Sequence, residues 1–349
     1  MIKIAIHHAP ETFSDFSRTF SMRWIEYCEK KGFPYKKVNC YDSDIIEQLH
    51  DCKALMWHWL QYDTCAIKFA RQLIYSLEAA GINVFPNPNT CWHFDDKIGQ
   101  KYLLESINAP LVSSYVFYEP DKALNWVNSA EFPKVFKLRG GAGSVNVRLV
   151  ESRDDARRLI NKAFSKGFSQ FNRYSLFRDR LLVLSRDRGL NAFFGLFKGM
   201  ARLLIPTAYE RQVGREKGYA YFQDFIAGND HDIRVVIIGD RAFAIKRGVR
   251  KGDFRASGSG KLDYNSASID KRCIEIAFDV TKKLKAQCLA YDFIFEKEEP
   301  LIIEISYSFA MEAYDSCPGF WDTALRWHEG KFVAQDYMVE DLIKLASKH

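Results

Sequence analysis

The chain has 349 residues, of which 47% are hydrophobic, and a formal net charge of +6. This length suits two or three globular domains. No apolar run approaches the roughly 18 residues of a transmembrane helix, the N-terminus lacks the apolar core of a signal peptide, and the eight cysteines form no CxxC pair. We therefore expect a reduced, cytoplasmic protein that is soluble or at most peripheral to a membrane.

The positive charge is local. Between Phe171 and Lys217 there are ten Lys or Arg residues and four Asp or Glu residues, which accounts for the whole excess. A local excess is a weak indication of nucleic-acid binding, and we expect no nucleic-acid partner.

Residues 1–89 alternate between short apolar runs and helical patterns. The runs "IKIAIHH", "YKKVNC", "KALMWHW" and "INVFP" predict strands, and helical spacing lies between them. This alternation predicts an open parallel α/β domain. The two prolines of "FPNPNT" then predict a boundary near Asn89.

Residues 90–222 contain a glycine-rich hairpin. "KVFKL" and "VNVRLV" predict strands on either side of "RGGAGS", which matches neither a Walker loop nor a dinucleotide fingerprint. Glycines let backbone N–H groups approach phosphate oxygens, and Lys137 on the preceding strand supplies a positive charge. The pattern fits a flap over phosphates, and a plain turn is the alternative.

Residues 223–349 have a different pattern. "YFQDFIAGNDHDIRVVIIGDRAFAIKRGVRKGDFRASGSGK" predicts three antiparallel strands with cations on the last, and a helix follows over Ile269–Gln287. A strand-rich body with one covering helix indicates an α+β arrangement.

The stretch "AYDFIFEKEEPLIIEIS" predicts a β-hairpin around a polar turn. If the pairing is centred on Glu298, Asp292 and Glu304 lie opposite each other. Like charges so placed destabilise a sheet unless they are compensated, and Mg²⁺ prefers carboxylate oxygens. Ser306 adds an oxygen on the same face as Glu304. The hairpin therefore predicts a magnesium site, with a solvated acidic face as the alternative.

These motifs, in this order, resemble the ATP-grasp superfamily, especially its ribosomal-protein-S6 glutamate ligase and D-alanine–D-alanine ligase branch. The resemblance runs from about Phe94 to Ser306, and "NDHDIRVVIIGDRAFAIKRGVRKGDFRASG" is its most specific segment. It implies a two-subdomain ATP-grasp fold behind an N-terminal α/β domain. The implied divisions are residues 1–89, residues 90–222 with a basic insertion at about 165–218, and residues 223–349.

The resemblance also implies roles for individual residues, with ATP and two Mg²⁺ ions as cofactors. Lys97 and Lys137 would hold the nucleotide phosphates, and the adenine would lie at the segment that joins the two subdomains. Arg247 and Arg255 would be the catalytic residues at the phosphate transfer site, and Asp292 and Glu304 would bind the metal. The remaining implied residues are Gly140, Gly141, Gly143 and Ser144 in the flap, Gln223, Asp224, Phe225 and Ile226 at the adenine, Asp232 at the ribose, and Ser306 as a third metal ligand. Related ligases usually have Asn at the position of Ser306, so its metal role is the weakest of these.

The implied reaction is ATP-dependent ligation of a carboxylate to an amine through an acyl phosphate, with release of ADP. The chain also resembles ATP-grasp proteins of bacterial polysaccharide biosynthesis, which favours a sugar acid such as a nucleotide-linked or lipid-linked uronate. The alternatives are a peptide or amino-acid ligase of the S6-modifying type and a nucleotide-binding module without catalysis.

Two further features remain open at this stage. His7, His8 and His58 fall at predicted strand ends, where ligands of open α/β sheets bind, and half-buried structural histidines are the alternative. Within the insertion, "LNAFFGLFKGMARLLIP" predicts a basic amphipathic helix. Such a helix contacts an anionic membrane surface, or acts as a lid or homodimer contact that buries its apolar face in protein.

Overall fold

The computed structural model describes residues 2–12, 15–141, 147–169, 214–249 and 260–348. The chain divides into two compact units, one formed by residues 1–112 with 226–349 and the other by residues 113–225. Residues 1–112 and 226–349 thus share one unit, whereas the sequence predicts a boundary at residue 89. Within the described residues, no helix is long and apolar enough to cross a membrane.

The first part of unit 1 is a parallel α/β layer, as predicted. Its sheet has the order β2-β1-β3-β4, and all neighbouring strands are parallel. The elements are β1 (Ile4–His7), α1 (Ser21–Lys31), β2 (Tyr35–Val38), α2 (Ile45–Gln48), β3 (Ala54–Met56), α3 (Thr64–Ala79), β4 (Asn83–Phe85), α4 (Pro88–Cys91) and α5 (Lys97–Ser106). Successive residues of β1 enter opposite cores, Ala5 on one face and Ile4 and Ile6 on the other. Coverage on both faces explains why β1 and β3 are buried along their whole length, whereas the edge strand β2 contains two lysines.

Unit 2 is built on an antiparallel sheet of order β5-β10-β6-β7. Its elements are β5 (Ser114–Phe117), α6 (Pro120–Ser129), β6 (Lys134–Lys137), β7 (Val147–Val150), α7 (Arg153–Phe164), β8 (Phe168–Ser169), β9 (Arg215–Glu216) and β10 (Ala220–Asp224). Phe136 and Phe222 are paired neighbours of β6 and β10 and pack edge to face in its core. The predicted strands on either side of the glycine-rich segment are therefore confirmed.

The second part of unit 1 is a larger antiparallel sheet. Its strand order is β15-β14-β11-β12-β16-β17, and β13 pairs with β12. The elements are β11 (His231–Ile238), β12 (Arg241–Gly248), β13 (Leu262–Asp263), α8 (Lys271–Leu284), β14 (Cys288–Glu296), β15 (Glu299–Ser306), β16 (Gly319–Asp322), β17 (Trp327–Glu329) and α9 (Ala334–Ala346). Alternate residues of β11 enter different cores: Ile233, Val235 and Ile237 pack with residues of α8, and Val236 and Ile238 with residues of α9. The predicted α+β arrangement is confirmed.

A two-residue turn joins β14 to β15. Lys297 and Glu298 both have positive φ, 50° and 69°, as a type I′ hairpin turn requires. Glu296 therefore pairs with Glu299, and the hairpin is centred between Lys297 and Glu298. The predicted centre on Glu298 is therefore wrong by half a residue. If the observed turn alone set the register, Ile303 would lie opposite Asp292.

Four sequence-predicted features lie outside the described residues. They are the flap residues Gly143 and Ser144, the catalytic candidate Arg255, and the amphipathic helix of the insertion. The predictions for them stay predictions.

Candidate active site

A β-bulge restores the predicted pair of acids. Phe293 pairs with Ile302, the register then shifts by one residue, and Asp292 pairs with Glu304. Ile302 and Ile305 are both fully buried, although they are three residues apart in a strand. The extra residue thus turns Glu304 away from the core that those two isoleucines enter, which is a common function of bulges beside functional sites. The predicted pairing is confirmed.

The acids continue into a row of charged residues across three strands. Glu304 of β15 pairs with Asp292 of β14, which pairs with Arg234 of β11. Nε of Arg234 lies 3.2 Å from Oδ1 of Asp292. Arg234, Val236 and Ile238 alternate along β11 and therefore lie on the same face of the sheet. This face is charged at the row and apolar at Val236 and Ile238.

Arg247 and Asp232 form a buried ion pair next to this row. Nε and Nη2 of Arg247 donate to Oδ1 and Oδ2 of Asp232, each at 2.6 Å, and the residues are cross-strand partners. Nη2 of Arg247 also lies 3.0 Å from Oδ1 of Asp292. Burial acts to lower the pKa of Arg247, but the carboxylates of Asp292 and Asp232 outweigh it and raise that pKa. Arg247 is therefore a permanent cation fixed in one orientation.

Lys97 brings a third cation to the acids. It is the first residue of α5, whose N-cap Asp96 accepts a hydrogen bond from the backbone N–H of Gly99. The side chain is 5% exposed, and its Nζ lies 3.1 Å from Oε1 of Glu304. Burial opposes the charge, but Glu304 and Asp95 together raise the pKa of Lys97. Lys97 thus stays charged although it is buried.

The acids have the chemistry of a magnesium site. The side chains of Asp292 and Glu304 are 13% and 36% exposed, so solvent reaches both. Within the described residues, no group of three His, Cys, Asp or Glu side chains is placed to hold a metal. A metal at this pair would depend on two carboxylates and on oxygens from water and phosphate, which is the usual ligand set of Mg²⁺.

The hydroxyl of Ser306 has a local structural contact. It donates to the carbonyl of Ser308 at 2.8 Å and accepts from the backbone N–H of the same residue at 3.2 Å. These bonds close the turn after β15. The predicted metal role of Ser306 stays a prediction.

Unit 2 contains the second lysine of the prediction. Nζ of Lys137 donates to Oε1 of Gln223 at 2.5 Å, and Nε2 of Gln223 donates to Oγ of Ser114 at 3.1 Å. All three side chains are buried. On the other face of β10, Asp224 accepts from Nζ of Lys134 at 2.6 Å. Lys137 and Gln223 are thereby held in one orientation.

The other candidates for the adenine site and the flap are predicted to bind through their backbone groups. Phe225 is the last residue of unit 2, and Ile226 opens the second part of unit 1. Gly140 ends a bend after β6, and Gly141 has a φ of 104°, a conformation that favours glycine. Their predicted roles in nucleotide binding stay predictions.

Two of the histidines have structural contacts. His58 stacks on Phe20 at 3.6 Å, accepts the backbone N–H of Phe20 at Nδ1, and lies 2.9 Å from Oγ of Ser308 at Nε2. Nδ1 of His7 accepts the backbone N–H of Cys40. Burial lowers the pKa of both to about 3, so they are neutral at physiological pH. His8 is half-buried. These contacts favour the structural alternative for His7 and His58.

Sequence reasoning missed Arg234. The signal is present in "DIR", because residues two apart in a strand share a face. Once Asp232 is assigned to the site, Arg234 follows from the alternation.

Residues 209–319 match the family described as the RimK-like ATP-grasp domain. Over this segment the chain is similar to RimK-like ATP-grasp domains. The match includes Asp232, Arg247, Asp292 and Glu304, whereas Lys97 lies outside it. No sequence among curated proteins is significantly similar to the chain.

Solved structures extend the likeness to the whole fold. D-alanine–D-alanine ligase from Bacillus anthracis, complexed with ATP, is 13% identical with a TM-score of 0.59, over 99% of this chain and 98% of that one. A RimK-domain ATP-grasp protein from Sphaerobacter thermophilus is 13% identical with a TM-score of 0.56, over 98% and 99%. A RiPP-associated ATP-grasp ligase from Chryseobacterium gregarium, in complex with ADP and a leader and core peptide, is 12% identical with a TM-score of 0.59, over 99% and 97%. The predicted ATP-grasp fold is confirmed.

Proposed function

We propose that the protein is an ATP-dependent ligase that joins a carboxylate to an amine through an acyl phosphate and releases ADP. The supporting observation is the charged cluster on one sheet face of the RimK-like domain, in which the opposed acids Asp292 and Glu304 contact the fixed cations Arg234, Arg247 and Lys97. This combination of acids for a metal and cations for an anion suits a phosphoryl group.

The acids and cations of unit 1 form a network of ion pairs. Three carboxylates, Asp232, Asp292 and Glu304, are in contact with the three cations Lys97, Arg234 and Arg247. When bound, Mg²⁺ would be held by Asp292 and Glu304 and would neutralise charge on the phosphates of ATP. Without nucleotide, a metal would compete with Lys97, Arg234 and Arg247, which already contact the two acids. We therefore expect metal and nucleotide to bind together.

The side chains have separate tasks in this proposal. A carboxylate is a poor electrophile because its charge is delocalised and oxide is a poor leaving group, and conversion to an acyl phosphate provides a leaving group. Lys97 and Lys137 hold phosphate oxygens, and Arg247 stabilises the charge of the transferring phosphoryl group. Asp232 positions Arg247, because each of its carboxylate oxygens accepts a bond from that guanidinium. The ribose contact that the resemblance implies for Asp232 stays a prediction.

For the substrate we propose two carboxylate classes. The sequence favours a sugar acid such as a uronate, with a role in polysaccharide biosynthesis. The names of the solved relatives, a D-alanine–D-alanine ligase and a ligase in complex with a leader and core peptide, favour an amino-acid or peptide carboxylate. An assay of ADP release with both carboxylate classes and a panel of amines separates these proposals. If no carboxylate stimulates ADP release, the result would support the alternative of a nucleotide-binding module without ligase activity.

Nucleotide binding is expected to depend on Lys137. In Lys137→Met the apolar stem is kept and the charge is lost, so the affinity for AMPPNP with Mg²⁺ should fall about ten- to a hundredfold, as for loss of one hydrogen bond to a charged group. Calorimetric titration measures this change.

Lys122→Met is the matched control, because Lys122 lies in the same unit and its side chain is 70% exposed. The control should bind AMPPNP like the wild type. Equal affinities for Lys137→Met and the wild type would remove Lys137 from the nucleotide site.

A further inference from the structure

The loop after β15 carries a tyrosine that the proposed mechanism leaves unused. Tyr314 follows a 3₁₀ turn over Met311–Ala313 and is 3% exposed. Its ring packs edge to face on Phe309, with 5.2 Å between ring centroids. It belongs to the apolar cluster that includes Ile245 of β12 and Val236 of β11. Tyr314 thus covers the apolar part of the sheet face that carries the charged row.

The hydroxyl of Tyr314 interacts electrostatically with the charged part of that face. Arg234, Arg247 and Asp292 are the charged groups that interact with it most strongly. The oxygen is buried and has no hydrogen-bond partner among the residues that the structure describes. Buried polar groups nearly always have a partner, and an exception requires an explanation.

Other buried tyrosines of unit 1 show the usual arrangement. The hydroxyl of Tyr291 bonds to Oγ1 of Thr281 at 2.7 Å, and that of Tyr307 donates to the carbonyl of Trp59 at 3.1 Å. Tyr264, which is less buried, donates to the carbonyl of Ala313 at 2.9 Å, one residue before Tyr314. Tyr314 therefore differs from tyrosines that have a purely structural role.

The surroundings of the hydroxyl select an anionic partner. A phenol keeps its proton at physiological pH, so the hydroxyl of Tyr314 can donate. Two guanidinium groups beside it favour a ligand with negative charge, and the acid pair adjoining them favours a ligand that also binds a metal. A phosphoryl group meets both conditions, whereas a substrate carboxylate, with a single charge, meets the first less well.

We propose that the hydroxyl of Tyr314 donates a hydrogen bond to the terminal phosphoryl group of the bound nucleotide, beside Arg234 and Arg247. This inference rests on the proposed ATP-dependent function and adds a residue to it. Hydrogen bonds to charged groups in low-dielectric sites are about twice as strong as neutral ones. The hydroxyl, which has no partner among the described residues, would thus find one in the nucleotide complex.

The test compares Tyr314→Phe with the wild type in calorimetric titrations of AMPPNP and of ADP, each with Mg²⁺. The variant should bind AMPPNP about ten- to a hundredfold more weakly and ADP with unchanged affinity, because ADP lacks the terminal phosphoryl group. Its Tm should equal or exceed that of the wild type, since the substitution removes a hydroxyl that has no partner among the residues that the structure describes.

Tyr264→Phe is the matched control. It removes a hydroxyl that donates to Ala313, so its Tm should fall while its AMPPNP affinity stays unchanged. Equal AMPPNP affinity in Tyr314→Phe and the wild type would overturn the proposal, and so would a lowered Tm in Tyr314→Phe together with equal losses for AMPPNP and ADP. Failure of the wild type to bind AMPPNP would instead overturn the proposed function itself.

Discussion

Asp232→Asn should lower the free energy of unfolding by about 3–5 kcal/mol, the usual result of removing one partner from a buried ion pair. Asp232 is 4% exposed and Arg247 is 6% exposed, and two bonds of 2.6 Å join them. In the variant the guanidinium stays charged and buried, and an amide offers one acceptor in place of two. Denaturant unfolding monitored by fluorescence measures the loss.

Asp230→Asn is the control for Asp232→Asn. Asp230 lies two residues earlier in the chain, and its side chain is 89% exposed, so the same substitution there should change stability by less than about 0.5 kcal/mol. The double variant Asp232→Leu with Arg247→Met should be more stable than Asp232→Leu alone, because in the single variant the buried Arg247 keeps only Asp292 as an ionised partner, whereas in the double variant Asp292 still contacts Arg234. Wild-type stability together with weakened ADP affinity in Asp232→Asn would contradict the structural role and would support the ribose contact that the resemblance implies.

Glu304→Gln should reduce turnover by about 10²–10³-fold, the usual scale for loss of one group that stabilises transition-state charge. The substitution keeps the shape of the side chain and removes one of the two carboxylates that would hold the metal. Steady-state ADP release with an accepted carboxylate measures this loss, and Mn²⁺ binding in the presence of ADP, followed by electron paramagnetic resonance, measures the metal directly.

Stability provides a second measurement for Glu304→Gln. From the sequence alone, removal of one of two opposed acids would relieve repulsion and leave the melting temperature equal or higher. The structure reverses this expectation, because Lys97 is buried 3.1 Å from Glu304 and would lose an ionised partner. Because Glu304 is partly exposed, we expect a loss of about 1–3 kcal/mol, below that of a fully buried pair.

Glu299→Gln tests whether these effects are specific. Glu299 lies on the same strand with its side chain 74% exposed, 3.5 Å from the exposed Arg272, and its substitution should leave turnover and stability nearly unchanged. Full activity together with normal Mn²⁺ binding in Glu304→Gln would contradict the metal assignment.

The sequence predicts the fold well where burial sets a simple pattern. The strands β1 and β3 are buried on both faces and read as apolar runs. In the larger sheet of unit 1, polar residues and glycines at the turns separate the apolar strands in the sequence. The facing of Asp292 and Glu304 was predicted correctly from a wrong hairpin centre, since the bulge compensates for the half-residue error. A bulge of this kind leaves no clear signal in a sequence of isoleucines and acids.

The candidate residues of the site can be named from the sequence, but the ion pairs between them cannot. Asp232, Arg247 and Lys97 were identified, but which acid holds which cation depends on contacts between strands and on the position of α5. Tyr314 was missed because it lies in an irregular loop, where no periodicity relates a residue to the sheet beside it. The bond between Asp232 and Arg247 supports a positioning role for an acid that the resemblance assigns to a ribose.

The formation of an acyl phosphate from a substrate carboxylate is the central claim, and transfer of oxygen from that carboxylate tests it most directly. A carboxylate that stimulates ADP release is prepared with ¹⁸O in its carboxyl group and incubated with ATP, Mg²⁺ and the amine, and the products are analysed by mass spectrometry. The account predicts ADP and inorganic phosphate that contains one ¹⁸O atom. Release of AMP and pyrophosphate, with the label in AMP, would contradict it.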